Sequence, residues 1–285
     1  MQEKQKQLGG LSINYKIIGT GKIPIVLLHG WGLSSDRYII TAEEILKLDN
    51  NFIFYIPDLP GFGKSEEPKT AWHIDDYVEF TRDFVNGVAQ REAGFELIKN
   101  IISGVIKNNG VSFKKENKKV ILLAHSFGGR IAIKYAVKYP GDIEAMVLTG
   151  AAGIKHPLTS RQQMFYRMAK IGKELFALPI LKSLEKYAKK YFYVIVREKD
   201  YANAGMMMKE VMKNALAEDL TPFLEKVTSS TLLIWGEMDH STPLVDGQTM
   251  NEKIEGSKLF VIKEANHSAV YNTAEEFAKI FLDNY

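Results

Sequence analysis

The chain has 285 residues, 37 of them basic and 34 acidic, and it contains no cysteine. Its length suits one α/β domain with an insertion. A net charge of +3 is too weak a bias to predict a nucleic-acid partner. Without cysteine, disulfides, thiolate metal sites and a Cys nucleophile are excluded. The first ten residues are polar and no segment approaches the ~20 apolar residues of a membrane span, so we expect a cytoplasmic protein.

Short apolar runs that stop abruptly at Gly, Pro, Asp or His are typical of strands in a buried parallel sheet. Helix-compatible stretches lie between them, and this alternation predicts a doubly wound α/β fold. An alternating segment at 11–18 follows Gly9 and Gly10, which predicts a hairpin and an antiparallel edge. The six predicted buried strands are 23–28, 52–56, 120–124, 145–148, 231–235 and 258–262, and the clearest predicted helices are 75–88, 129–138 and 274–282.

Two segments interrupt the alternation. The stretch 91–119 is longer than one crossover helix requires, which predicts an extra or extended helix. From 154 to 227 the only strand-like run is the ambiguous 191–196, and Met and aromatic residues recur among lysines. We therefore expect a helical cap at 154–227 inserted into a core of 1–153 and 228–285. Within the cap, Met206–Met208 and Met212 fit either a pocket wall or ordinary packing against the core.

Ser126 lies where a predicted strand ends and a helix begins, in Ala124-His-Ser-Phe-Gly-Gly129. A hydroxyl becomes an effective nucleophile when a tight turn exposes it beside a base. Ala124 and Gly128 occupy the small positions of the G-x-S-x-G elbow, and the helix dipole favours negative charge developing nearby. The alternative is an ordinary helix-capping serine.

A catalytic serine needs an imidazole and an acid that orients it. Among the six histidines, His267 follows a late strand and precedes a C-terminal helix. Asp239 follows the strand at 231–235 and completes the order Ser, Asp, His. The competing acid position after the strand at 145–148 offers no carboxylate, so Glu237 is the remaining alternative. We predict a triad of Ser126, Asp239 and His267.

Acyl transfer also requires backbone N–H donors for the oxyanion. Phe127, directly after the nucleophile, supplies one, and Trp31, between Gly30 and Gly32, supplies the second. His29 and His125 lack the spaced partners of a metal site, so we assign them structural roles and predict no metal and no cofactor. For His240, surface exposure and substrate contact both remain open.

These strings resemble the α/β-hydrolase superfamily, specifically its cap-bearing branch related to esterases, carbon–carbon bond hydrolases and cofactor-free haloperoxidases. The resemblance spans nearly the whole chain, with Ala124 where Gly is more usual. It implies a serine nucleophile at Ser126, where epoxide hydrolases and haloalkane dehalogenases carry Asp. Many carbon–carbon bond hydrolases carry Trp after the catalytic His, whereas Ser268 follows His267. The matching strings are His29-Gly-Trp-Gly32, Asp58-Leu-Pro-Gly-Phe-Gly-Lys-Ser65, Ala124-His-Ser-Phe-Gly-Gly129, Trp235-Gly-Glu-Met-Asp239 and Asn266-His267.

The predicted reaction is hydrolysis of a small or medium apolar carboxylic ester through an acyl-enzyme. A carbon–carbon bond hydrolase would use the same triad. In a different class of protein, a slow-turnover ligand-binding receptor on this fold would also retain it, because fold and motif alone do not determine function.

Overall fold

The structure is a computed structural model that describes residues 1–89, 119–155 and 205–285. Eight strands within these residues form one sheet. In chain order they are β1 (Gln2–Leu8), β2 (Leu11–Gly19), β3 (Ile23–Leu28), β4 (Phe52–Pro57), β5 (Val120–His125), β6 (Ile143–Thr149), β7 (Ser230–Gly236) and β8 (Lys258–Ile262). All six predicted buried strands are present, with bounds that differ by two residues or fewer.

The strand order in the sheet is β1-β2-β4-β3-β5-β6-β7-β8. The last six strands in this order, β4 to β8 with β3 among them, run parallel to one another. The first two, β1 and β2, form an antiparallel hairpin, and β2 also pairs antiparallel with β4. Gly9 and Gly10 form the hairpin turn with φ of 57° and 81°, which a glycine adopts without steric cost. The predicted α/β class and antiparallel edge are confirmed.

Helices pack on both faces of the sheet. In chain order those described are α1 (Ile39–Leu48), α2 (Ile74–Phe84), α3 (Phe127–Lys138), α4 (Met206–Ala217), α5 (Thr221–Leu224), α6 (Leu244–Lys253), α7 (Ala269–Asn272) and α8 (Ala274–Asn284). The predicted helix at 75–88 ends at Phe84 and continues as a π-helical turn over Val85–Ala89. Helix α3 begins two residues earlier than predicted, directly after Ser126.

Two apolar clusters form the core, one on each face of the sheet. Side chains from α2, α3 and α6 fill one cluster, and α1 and α8 contribute to the other. Met208, Val211 and Ala215 of α4 join the first cluster, whereas Met206 is 90% exposed. At Met208 the side chain therefore packs against the core.

Several predictions lie outside the described residues. They are the extra helix of 91–119 except its last residue, the ambiguous run at 191–196, and the cap from 156 to 204. At the C-terminal end of the predicted cap, α4 and α5 are helical. Leu220 N–H, near the C-terminal end of the predicted cap, donates to Gly153 O at 2.9 Å, so the chain just before the predicted cap lies beside a residue near its end.

Candidate active site

Ser126 occupies a strained turn between β5 and α3. Its φ of 52° and ψ of −113° are unfavourable for a residue with a Cβ, at a cost of about 1–3 kcal/mol. Neighbouring backbone groups hold this conformation. The Ser126 N–H donates to Thr149 O at 3.2 Å, and its carbonyl accepts from Gly129 N–H at 2.9 Å and Ala152 N–H at 3.0 Å. The serine is thus fixed at the carboxyl edge of the sheet.

Close packing beneath the turn explains the small residues around it. A Cβ on Gly128 would lie 2.3 Å from the carbonyl oxygen of Leu28 in β3. Only glycine lets α3 begin this close to the sheet. Ala124 is fully buried in β5 and its methyl group is accommodated. The departure from the more usual glycine therefore leaves the turn intact.

The structure brings Ser126, His267 and Asp239 into one row. The Nε2 atom of His267 lies 3.0 Å from Ser126 Oγ, and its Nδ1 lies 2.8 Å from Asp239 Oδ2. An ionised carboxylate only accepts, so Nδ1 carries the proton and donates it to Asp239. Nε2 of the neutral ring is then free to accept the hydroxyl proton of Ser126. These are the contacts that a general base and its orienting acid require.

Four donors surround the Asp239 carboxylate. Oδ1 accepts from the N–H groups of Ser241 and Thr242 at 2.8 and 2.9 Å, and Oδ2 accepts from the Thr242 hydroxyl at 2.9 Å in addition to His267. Burial opposes ionisation of the Asp239 side chain, which is 1% exposed, but the hydrogen bonds from His267 and Thr242 outweigh it and lower its pKa. Asp239 therefore stays charged next to the imidazole.

Thr242 is a site residue that the sequence reading missed. Its hydroxyl lies 2.9 Å from both Asp239 Oδ2 and Gly150 O, and 3.2 Å from His267 Nδ1. The available signal was its position three residues after the acid, where side-chain and backbone donors return to a carboxylate. The contact with Gly150, 92 residues away, had no signal in the sequence.

The alternative acid and the ambiguous histidine lie apart from this row. Glu237 accepts the N–H of Glu264 at 3.0 Å, an exposed contact at the end of β7. His240 is also exposed. Of Asp239 and Glu237, only Asp239 contacts His267.

Phe127, one predicted oxyanion donor, directly follows the serine, and Gly30, which precedes Trp31, lies close to it, since a Cβ on Gly30 would be 3.2 Å from Ser126 Cβ. Neither the Trp31 N–H nor the Phe127 N–H donates to an acceptor among the described residues. Phe127 is the first residue of α3, where an amide has no partner within the helix. Among the described residues, no acceptor occupies either N–H.

His29 fixes the peptide that carries the Trp31 N–H. Its Nε2 accepts from Leu59 N–H at 2.9 Å, so its Nδ1 carries the proton and donates to Gly30 O at 2.8 Å. In a trans peptide the N–H points opposite to the carbonyl, so the Trp31 N–H faces away from the His29 ring. Burial lowers the pKa of His29 to about 4, which keeps this ring neutral.

Aromatic rings pack next to the donors. The ring of Trp31 meets those of Phe62 and Phe127 edge-to-face, with centroid distances of 4.9 and 5.2 Å, and Tyr77 contacts Phe127 at 5.2 Å. Trp31 is half-buried and the phenylalanines are buried. Edge-to-face contacts of this kind stabilise a fixed arrangement of the rings. The side chains of both predicted oxyanion donors thus belong to one aromatic cluster.

Neither a metal site nor a membrane span is found in the part of the chain that the structure describes. Its His, Asp and Glu side chains form no group of three or more placed to hold an ion. None of its helices is both long enough and apolar enough to cross a bilayer.

The sheet is mostly parallel, and the serine lies at a strained strand-to-helix turn. Later loops bring an imidazole and a carboxylate to it, and this arrangement is the architecture of α/β-hydrolases. A model of the alpha/beta hydrolase family matches residues 25–280. The chain belongs to this family, and the predicted membership is confirmed.

Curated relatives in the family span several hydrolytic reactions. A proline iminopeptidase of Saccharolobus solfataricus is 23% identical, covering 98% of this chain and 91% of the relative. A 2-hydroxy-6-oxononadienedioate/2-hydroxy-6-oxononatrienedioate hydrolase of Pseudomonas putida is 24% identical over 96% and 91%. A pimeloyl-[acyl-carrier protein] methyl ester esterase of Wigglesworthia glossinidia brevipalpis is 25% identical over 93% and 95%.

A crystal structure described as a membrane phospholipase A, a bacterial virulence factor, shares the fold with a TM-score of 0.70. It is 20% identical, covering 99% of this chain and 84% of that one.

Proposed function

We propose that this protein is a serine hydrolase that cleaves a carboxylic ester of a small or medium apolar substrate through an acyl-enzyme. Ser126 is the nucleophile, His267 the general base and Asp239 the acid that orients the base. The observation that carries the proposal is the unbroken row from Ser126 Oγ through the imidazole to Asp239, with contacts of 3.0 and 2.8 Å.

In the first half-reaction Ser126 Oγ attacks the ester carbonyl while its proton passes to His267 Nε2. The tetrahedral intermediate collapses with cleavage of the bond to the alkoxy oxygen, which takes the proton from Nε2 and leaves as the alcohol. In the second half-reaction water gives a proton to Nε2 and attacks the acyl carbon. The acid departs and the proton returns to Ser126. Asp239 stabilises the imidazolium in both halves.

The N–H groups of Trp31 and Phe127 are the proposed oxyanion donors. Neither N–H has an acceptor among the residues that the structure describes, which supports this role. Preorganised donors stabilise charge that develops only in the transition state, and removal of one typically costs about 3–4 kcal/mol of barrier.

The apolar class of substrate is supported by Trp31, Phe62 and Phe127, whose rings pack against one another and include the side chains of both proposed oxyanion donors. We assign residues 154–227 to a helical cap over this site and the remainder to the catalytic core. In this proposal the choice among apolar substrates rests with the cap.

Carbon–carbon bond hydrolysis is the second candidate, favoured by the relative from Pseudomonas putida. The same serine, base and oxyanion donors serve that reaction. Ser268, which follows His267 where many such enzymes carry Trp, favours the ester assignment instead.

The test is a panel of a p-nitrophenyl butyrate ester, a dienoate ring-fission product and a prolyl p-nitroanilide. We expect the ester to give the highest kcat/KM, and Ser126→Ala to lower it by about 10⁴-fold or more. Ser230→Ala, an exposed serine at the opposite end of β7, is the matched control and should retain full activity.

Preference for the dienoate would replace the ester assignment with carbon–carbon bond cleavage. Slow acylation of Ser126 with no appreciable turnover of any of the three substrates would indicate a ligand-binding receptor.

A further inference from the structure

A buried row of hydrogen bonds joins three separate loops around the serine. The N–H of Gly30, in the oxyanion loop, donates to Tyr38 Oη at 3.0 Å. Tyr38 Oη lies 2.7 Å from Nδ1 of His125, and Nε2 of His125 lies 2.8 Å from the carbonyl oxygen of His267. Tyr38 is fully buried and His125 is 1% exposed. The two side chains thus span from the oxyanion loop to the loop of the base.

The positions of the protons follow from what each group can do. Gly30 N–H only donates, so Tyr38 Oη accepts there and has its single proton left for His125 Nδ1. The His267 carbonyl only accepts, so His125 Nε2 carries the ring proton. Every contact then has one donor and one acceptor, and the row runs in one direction. Burial, with a further contribution from neighbouring His267, lowers the pKa of His125 to about 3, so the ring stays neutral.

The row ends at residues that hold the reacting groups. The carbonyl group of Gly30 and the N–H of Trp31 belong to the same peptide, and this N–H is one proposed oxyanion donor. At the other end, the His267 backbone carries the imidazole that contacts Ser126, and the rings of His125 and His267 lie 4.8 Å apart. His125 itself precedes Ser126 at the strained turn. One connected pair of side chains therefore touches all three elements whose relative placement the reaction requires.

We propose that Tyr38 and His125 are positioning residues that set the distance between the oxyanion donor at Trp31 and the base at His267. This inference rests on the proposed function. An apolar pair of the same volume would fill the space but would leave the Gly30 N–H and the His267 carbonyl without these partners. Catalysis depends steeply on geometry, and a displacement of about 1 Å costs roughly 10²-fold.

Substitutions separate the two halves of the row. Tyr38→Phe removes the hydroxyl and retains the ring. In His125→Asn the side-chain oxygen can replace Nδ1 as the acceptor for Tyr38, but no donor reaches the His267 carbonyl. In His125→Gln the side-chain amide can replace Nε2 as the donor to His267, but the acceptor for Tyr38 is lost. Each should lower kcat about 10- to 100-fold with KM changed less than threefold. Tyr135→Phe is the matched control, because its buried hydroxyl contacts Asp142 away from the site.

A double-mutant cycle distinguishes positioning from simple loss of stability. If the row acts as a unit, Tyr38→Phe with His125→Asn is no slower than the slower single variant. Losses in kcat that multiply would overturn the proposal, as would single variants with full kcat and only a lowered Tm.

A spectroscopic readout does not depend on turnover or on the folding of a variant. In ¹⁵N-labelled protein, His125 should show an unprotonated Nδ1 and a protonated Nε2 at neutral pH. The opposite tautomer would overturn the proposal. Failure of the proposed function is a different result: another substrate is preferred, no substrate turns over, or Ser126→Ala is as active as the parent protein, while the His125 tautomer remains as stated.

Discussion

Acidification should destabilise the folded protein through two buried imidazoles. Burial lowers the pKa of His29 to about 4 and that of His125 to about 3, against an ordinary value of 6.5. Below pH 6.5 the unfolded chain binds protons at these positions that the folded chain does not, so the free energy of unfolding falls with pH. At pH 5, about 1.5 units below 6.5, each ring costs about 2 kcal/mol, or about 4 kcal/mol for the pair.

The loss starts near pH 6.5 and levels off only below the two lowered values. Asp58 and Asp239 also have lowered pKa values. Their contribution is lost mainly as the pH falls through the unfolded Asp value of about 3.9, so from pH 8 to pH 5 the imidazoles dominate.

Urea unfolding followed by circular dichroism at pH 8 and pH 5 measures the difference. Replacing His29 by Asn should halve the loss, since only one titrating ring is removed. His240→Gln replaces an exposed histidine and should leave the loss unchanged. Equal stability of the parent protein at the two pH values would refute the reasoning, because it would mean that the buried rings bind protons as readily as free histidine.

Two further predictions concern the acid. Asp239→Asn should lower kcat about 10⁴-fold with the fold intact, because the amide favours the wrong tautomer of His267. Glu237→Gln should retain activity. The reverse result would move the acid to Glu237. Thr242→Val removes the hydroxyl contact with the Asp239 carboxylate and should lower kcat about tenfold in steady-state assays. Thr242→Ser, which keeps the hydroxyl, should restore kcat. Full activity in the valine variant would exclude a positioning role for the hydroxyl.

The sheet could be predicted because its strands are short apolar runs with sharp ends. The run at 258–262 was placed to the residue, and Gly9 with Gly10 located the hairpin. Strand ends in a parallel sheet converge at one edge, so the motif around Ser126 and the positions of Asp239 and His267 after later strands could predict one site. In the structure these three side chains lie in one row.

The supporting contacts could not be predicted in the same way. Tyr38 and His125 are 87 residues apart, and His125 and His267 are 142 apart. Neither periodicity nor local propensity encodes which buried tyrosine meets which histidine. Thr242 is closer to its carboxylate, but its second contact with Gly150 requires the paired strands β6 and β7 to be in place.

Fluorophosphonate labelling followed by peptide mapping tests the central claim that Ser126 is an activated nucleophile. We expect one adduct, on Ser126, that disappears in Ser126→Ala, forms far more slowly in His267→Gln and is unchanged in Ser230→Ala. An adduct on another serine, or undiminished labelling of Ser126→Ala, would contradict it.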